Sequence, residues 1–195
     1  TVCNVVFASL AGYAFAKLRF PGCKVFFFLL LVAMMIPYQV TQVPLYILMV
    51  NVLKLQDTYA ALIAPTLVTC YNVFLAKQFF TSLPTSVIES AKIEGCSQPM
   101  IVWKIVMPLS KTVLAVMAIT TFLGEWNTFF WPFLVCNSEK MQTIQVGLKN
   151  FSFANTTYFS PMMAGATISA LPMFILFFSL QKYFLEGVTV GAVKG

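Results

Sequence analysis

The sequence predicts an all-α, polytopic membrane protein, and three observations predict it. Of its 195 residues, 59% are hydrophobic and 9% charged, with a mean hydropathy of +0.86; a soluble domain carries roughly a quarter charged residues. The apolar residues fall in long stretches and not in short alternating strands, which selects helices over a closed barrel as the way to satisfy backbone groups in lipid. A spanning helix takes about 20 residues, so the length accommodates about five spans within one domain, 1–195.

The first stretch runs from Val2 to Ala16 and ends in the basic cluster Lys17, Arg19 and Lys24 around Pro21 and Gly22. The second, Val25 to Val50, exceeds one crossing, and Pro37 and Pro44 interrupt it. Each proline removes a backbone donor, so a kink, or a break into a helix and a re-entrant piece, is expected. Asn51 to Thr58 reads as a polar turn, Tyr59 to Phe80 as the third span, Thr112 to Val135 as the fourth and Pro161 to Tyr183 as the fifth. The tail, Glu186 to Gly195, is too short and flexible for a helix of its own, so any order it has would come from a partner, the alternative being an ordinary frayed terminus.

Basic residues set an orientation. With the Lys17 loop in the cytoplasm, alternation places Lys77, Lys92, Lys104, Lys111, Lys182 and Lys194 there too and leaves Lys54, Lys140 and Lys149 outside. The chain starts at Thr1 with apolar residues and lacks the basic head of a signal peptide, so its true start is expected to lie upstream.

Between the third and fourth spans lies a polar, charged segment, Glu89 to Pro108, within a loop at 81–108. Pro84 suits the first turn of a helix, Glu89 and Ala91 continue it, and Gly95 can end it in the left-handed conformation. Ser97 can cap a second short helix, and Pro108 would open the next span. Val87, Ile88, Ile93, Met100, Ile101 and Trp103 are more apolar than a free aqueous loop should show, so this surface is expected to be covered by another protein, with Glu89 and Glu94 giving charge specificity. A pair of amphipathic helices in the bilayer interface, with Lys92 and Lys104 near headgroups, is the competing reading. Spacing decides for the dock. Glu89, Ala91, Gly95, Ile105 and Pro108 closely resemble the EAA loop of permease subunits of bacterial ATP-binding cassette (ABC) importers, with Ser90 in place of the second alanine and Met107 in place of leucine.

The resemblance covers nearly the whole chain. AGYAFAKLRFPG (Ala11 to Gly22), MIPYQVTQVPLYILM (Met35 to Met49), GEWNTFFWP (Gly124 to Pro132) and LQKYFLEGVTVGAVKG (Leu180 to Gly195) look like the carbohydrate-uptake branch that includes the maltose permease subunit. It implies the type I importer permease fold, a further N-terminal helix missing here, and coupling to the ATPase through Glu89, Ser90, Ala91, Gly95, Ile105 and Pro108. It also implies the partners: a second permease subunit, an ATP-binding cassette ATPase dimer, an extracytoplasmic substrate-binding protein, a sugar-like substrate and membrane lipid, with no nucleic acid. The location implied is a bacterial cell membrane, with the docking loop and C-terminus cytoplasmic and the tail reaching the ATPase.

Glu125 lies well inside the fourth span, where a carboxylate is costly and faces a bundle interior or a wet cavity. With Trp126 and Asn127 beside it and Asn137 and Gln142 beyond, it can line a sugar path, aromatic faces stacking on the ring while amides bond hydroxyls. Against this, Trp126 and Trp131 can belong to an interfacial aromatic belt, with Glu125 capping a break near Gly124. Tyr38, Gln39, Thr41 and Gln42 either line the channel or satisfy backbone groups freed by Pro37 and Pro44. Asn155, Thr156 and Thr157 match a glycosylation acceptor but read as an outer loop.

Enzymatic classes find no support. Histidine is absent, the five cysteines are scattered singly, and no GxxxxGK[ST], HExxH or GxSxG occurs in context, so no metal, cofactor or hydrolytic site is expected. Two other classes remain beside the importer. A secondary transporter or channel would carry ionisable residues in several spans, and only Glu125 is deep here; a non-transporting assembly or receptor subunit would not bind an ATPase.

Overall fold

The computed structural model describes residues 1–151 and 158–192, with side chains placed up to Lys182. The described residues are helical and contain no strand. In chain order the helices are α1 (Val2–Lys17), α2 (Cys23–Met35), α3 (Tyr38–Tyr46), α4 (Tyr59–Ile63), α5 (Cys70–Ser82), α6 (Thr85–Ile93), α7 (Gln98–Ile101), α8 (Met107–Leu109), α9 (Lys111–Asn127), α10 (Phe130–Val135), α11 (Ile144–Lys149) and α12 (Phe159–Ala192).

Two segments, Tyr59–Ser82 and Phe159–Lys182, are each 24 residues long and apolar enough to cross a bilayer; counting Cys23–Met35 with Tyr38–Val52, and Gln98–Leu109 with Lys111–Asn127, as one bent span each raises the number to four. Val2–Lys17 is apolar but shorter than a full crossing. The expected five spans therefore become two to four by length. The fourth also differs in its limits: the helix stops at Asn127, and Phe130–Val135 is a separate element, so Thr112 to Val135 is not one span. Asn127 Nδ2 and Thr128 Oγ1 donate to the carbonyls of Leu123 and Gly124 at 2.8 and 2.7 Å, satisfying the last turn from within. The helix runs through Gly124, so Glu125 does not cap a break there.

Proline explains the other interruption. Pro37 precedes α3 in an extended conformation and separates it from α2, whereas Pro44 is accommodated inside α3. The next turn, Ile47–Val52, widens to a π-helix, with Leu53 N–H reaching the Leu48 carbonyl at 2.8 Å. Pro108 does not open α9: it lies within α8, and the chain bends by 82° before Lys111. The backbone of α12 continues to Ala192, so most of the tail extends an existing helix; propagation costs far less than the nucleation that a separate helix would need. Asn155, Thr156 and Thr157, and the chain from Val193 on, lie outside the described residues.

By contacts the chain forms two compact units: Thr1–Met35 with Leu67–Thr120 and the helix from Leu180, and Ile36–Thr66 with Thr121–Ser179. In the first, α1 packs closely on α5. Asn4, Ala8, Ser9, Gly12 and Tyr13 form the buried face of α1, and Asn72, Val73, Ala76 and Phe80 that of α5, both at helical spacing. Small residues let the backbones approach, and polar groups act as glue where lipid offers no partner. Asn72 Nδ2 donates to Asn4 Oδ1 at 2.6 Å. The same cluster takes in Ile88 and Ala91 of α6, Ile101 of α7 and Val113 and Met117 of α9.

The second unit has its own core of Met49, Ala61, Trp131, Val135 and Cys136. Trp131 is 3% exposed and donates its indole N–H to the Ala61 carbonyl at 3.0 Å, so it belongs to this core and not to an interfacial belt. A turn clamp joins it: Asp57 Oδ1 accepts the backbone N–H groups of Asn137 and Ser138, each at 3.0 Å, while Asp57 N–H donates to Val135. Hydrogen bonding from the Ser138 side chain and backbone, with Asn137 adding, holds the Asp57 carboxyl below the ordinary aspartate range. A depressed folded pKa contributes stability that is full above the unfolded value of about 3.9 and is lost as pH falls through the folded value. Asp57→Asn, which tolerates the positive φ of 59° at this position, is expected to abolish that acid-side dependence of the unfolding midpoint without opening the turn. An unchanged acid limb would remove Asp57 as its source.

Candidate functional site

The loop between α5 and α9 is built as helix, glycine bend, helix. α6 starts after Pro84, whose extended backbone sets the entry. It ends at Glu94 and Gly95, where Gly95 takes φ +81° and donates to the Lys92 carbonyl at 3.0 Å while Cys96 N–H reaches back to Ala91 at 2.9 Å. This crossed pair is the Schellman termination, which needs a left-handed residue at its centre. Ser97 precedes α7 as its N-cap but makes no side-chain capping bond; its carbonyl accepts from Ile101 instead. After α7 a π-helical stretch, Val102–Val106, leads into α8.

Burial divides α6 by face. Ile88 and Ala91 are buried against the first unit's core, whereas Glu89, Ser90, Lys92 and Glu94 are exposed and Ile93 is 87% exposed. Glu89 and Ile93 stand one turn apart, so a carboxylate and a bare aliphatic side chain share one outward face. Trp103 and Met100 are also exposed. Among the coupling residues expected from the sequence, then, Glu89, Ser90, Gly95 and Pro108 are exposed, Ala91 is buried and Ile105 half-buried. They occupy one continuous segment but do not converge on a single face.

The residues expected from the sequence to line a path lie in the second unit. Glu125, Asn127, Tyr38 and Gln39 are exposed and Trp126 is half-buried. Trp126 stacks on Phe122 at 5.3 Å between ring centroids and donates its indole N–H to the Ser169 carbonyl at 2.9 Å, so its polar edge is already engaged. Gln39 and Gln42 line a groove of about 370 Å³ together with Val43, Tyr46, Phe130 and Leu134. Two amides over aliphatic and aromatic walls are the general composition of a small-molecule pocket, a few polar groups fixing orientation within an apolar lining. Tyr46 and Phe130 were not singled out from sequence, although 39, 42, 43 and 46 follow helical spacing and mark one face of α3. No group of three or more potential metal ligands occurs among the described residues.

Apolar helices long enough to cross a bilayer, joined by a bent-helix loop that exposes an acidic and aliphatic face, define the class: a polytopic helical membrane protein. Residues 4–190 match the binding-protein-dependent transport system inner membrane components, and the chain belongs to that family; it is a permease subunit of an ABC importer. It is 39% identical over 194 residues to the arabinooligosaccharides transport system permease protein AraQ of Halalkalibacterium halodurans, covering 100% of this chain and 69% of that one. It is 32% identical over 190 residues to the sn-glycerol-3-phosphate transport system permease protein UgpE of Yersinia pestis, covering 96% of this chain and 67% of that one. A crystal structure of a bacterial ABC transporter involved in the import of the acidic polysaccharide alginate matches with a TM-score of 0.83 at 26% identity, covering 94% of this chain and 70% of the other.

Proposed function

We propose that this subunit forms one half of the translocation path for a sugar or sugar-like solute, an oligosaccharide or a polyol derivative, and that α6 is the element through which an ATPase drives it. The observation that carries the reading is the outward face of α6, where Ile93 is almost fully exposed beside Glu89 on a helix whose other face is locked into the core. Such a face suits a complementary groove with a basic residue near its rim. Similarity over nearly the whole chain to permeases named for carbohydrate and polyol transport supports the solute class. ATP hydrolysis then resides on two cytoplasmic subunits, a second permease completes the path, and a binding protein delivers solute from outside. Closure of the ATPases would move α6 as a rigid lever and switch access between the two sides.

Copurification tests the partner assignment: an ATPase subunit that fails to remain bound through detergent extraction would favour a secondary transporter. Thermal shift of the cognate binding protein against a panel of sugars and polyols then tests the solute class. Within the path, Glu125→Gln is expected to weaken apparent solute affinity about tenfold, the scale of one lost charge-assisted hydrogen bond, with ATPase assembly intact. Trp126→Ala removes a stack and a backbone bond, so it should lower stability as well. Loss of expression in Glu125→Gln with no change in affinity for the surviving protein would make that residue a packing element.

A further inference from the structure

We propose that Tyr13 and Lys17 of α1 are positioning residues for coupling, two struts that tie both ends of α6 to one membrane helix; this rests on the docking role proposed for α6. The residues are one turn apart and so project from one face of α1. Lys17 Nζ donates to the Leu83 carbonyl at 2.7 Å. Leu83 is the C-cap of α5, where carbonyls lack intrahelical partners and the helix dipole is negative, and it immediately precedes the Pro84 entry to α6. Tyr13 Oη donates to Gln98 Oε1 at 3.0 Å, and Gln98 is the first residue of α7, just past the Gly95 bend. Between these points Ile88 and Ala91 of α6 pack in the same core as Tyr13. The segment from Leu83 to Gln98 is thereby held at entry, middle and exit. A push on the outward face of α6 is delivered to α1 instead of being absorbed by slack at Pro84 or Gly95. Neither strut touches the outward face, so neither is a docking contact.

Tyr13→Phe keeps the buried ring and removes only the hydroxyl; Lys17→Met keeps the stem and removes only the ammonium. In the complete complex, with ATPase subunits and binding protein in lipid vesicles, each is expected to lower solute transported per ATP hydrolysed about threefold, the scale of one net hydrogen bond, with assembly and stimulated hydrolysis retained. The double variant should lower the ratio further, and Lys17→Arg should restore it. Transport and hydrolysis falling in proportion, or an unchanged ratio, would overturn the inference and leave the bonds as helix packing. Glu89→Ala, measured alongside, separates the two claims. If it uncouples and the strut variants do not, only the strut inference fails; if none of the variants changes the ratio, the docking reading fails and takes the struts with it.

Discussion

Gly95→Val is expected to reduce transport at least tenfold in the assembled importer while leaving the permease in the membrane and bound to its ATPase. The reason lies entirely in the backbone. A Cβ added at Gly95 would meet nothing within 4 Å, so no clash contributes. What the residue needs is φ +81°, a region that costs an ordinary L-residue roughly 1–2 kcal/mol and a β-branched one more. Relief of that strain would unwind the last turn of α6, breaking the bonds from Cys96 to Ala91 and from Gly95 to Lys92 and re-aiming Glu89 and Ile93. The substitutions should grade by conformation and not by size: Gly95→Asn mildest, Gly95→Ala intermediate, Gly95→Val most severe. Glu89→Ala should also uncouple, through loss of charge from an intact helix. Normal transport in both Gly95→Val and Glu89→Ala would remove α6 from the coupling route.

The bend was legible because glycine placement is local chemistry: one residue without a Cβ at the end of a helical run predicts its own left-handed turn. The break at Pro37 was legible for the same kind of reason. Pro44 was not: it sits within α3 without ending it, and whether a proline breaks a helix or is carried inside it is decided by the turn that precedes it and not by its own identity. The end of α9 at Asn127 was hidden by hydropathy, which runs on through Phe129 and Trp131 to Val135; the bonds from Asn127 and Thr128 back onto the last turn are local polar detail that an apolar run does not report. Trp131 looked like a candidate for an interfacial belt because aromatic composition does not report burial. Long-range partners were the least accessible. Tyr13 and Gln98 are 85 positions apart, and nothing in either neighbourhood predicts the other.

The contact between α1 and α5 gives the largest expected effect on stability. At Gly12 an added Cβ would stand 2.6 Å from Ala76 Cβ, 2.9 Å from Lys77 N and 3.1 Å from the Ala76 carbonyl carbon. Two of those three atoms are backbone and cannot rotate aside, so the helices themselves must separate. Overpacking of this kind costs about 1–3 kcal/mol or more. Separation would also stretch the Asn72 to Asn4 bond and the Lys17 strut to Leu83, which span the same two helices. Gly12→Val is therefore expected to lower the unfolding midpoint of the detergent-solubilised protein sharply and Gly12→Ala by less. Gly147 provides the contrast: it is helical with nothing within 4 Å, so Gly147→Ala should be neutral or stabilising by up to about 1 kcal/mol. A wild-type midpoint for Gly12→Val would mean that the two backbones do not approach this closely. The sharper test is compensation. Ala76→Gly removes the nearest atom facing Gly12→Ala but leaves Lys77 N in place, so the double variant should recover part of the lost stability and not all of it.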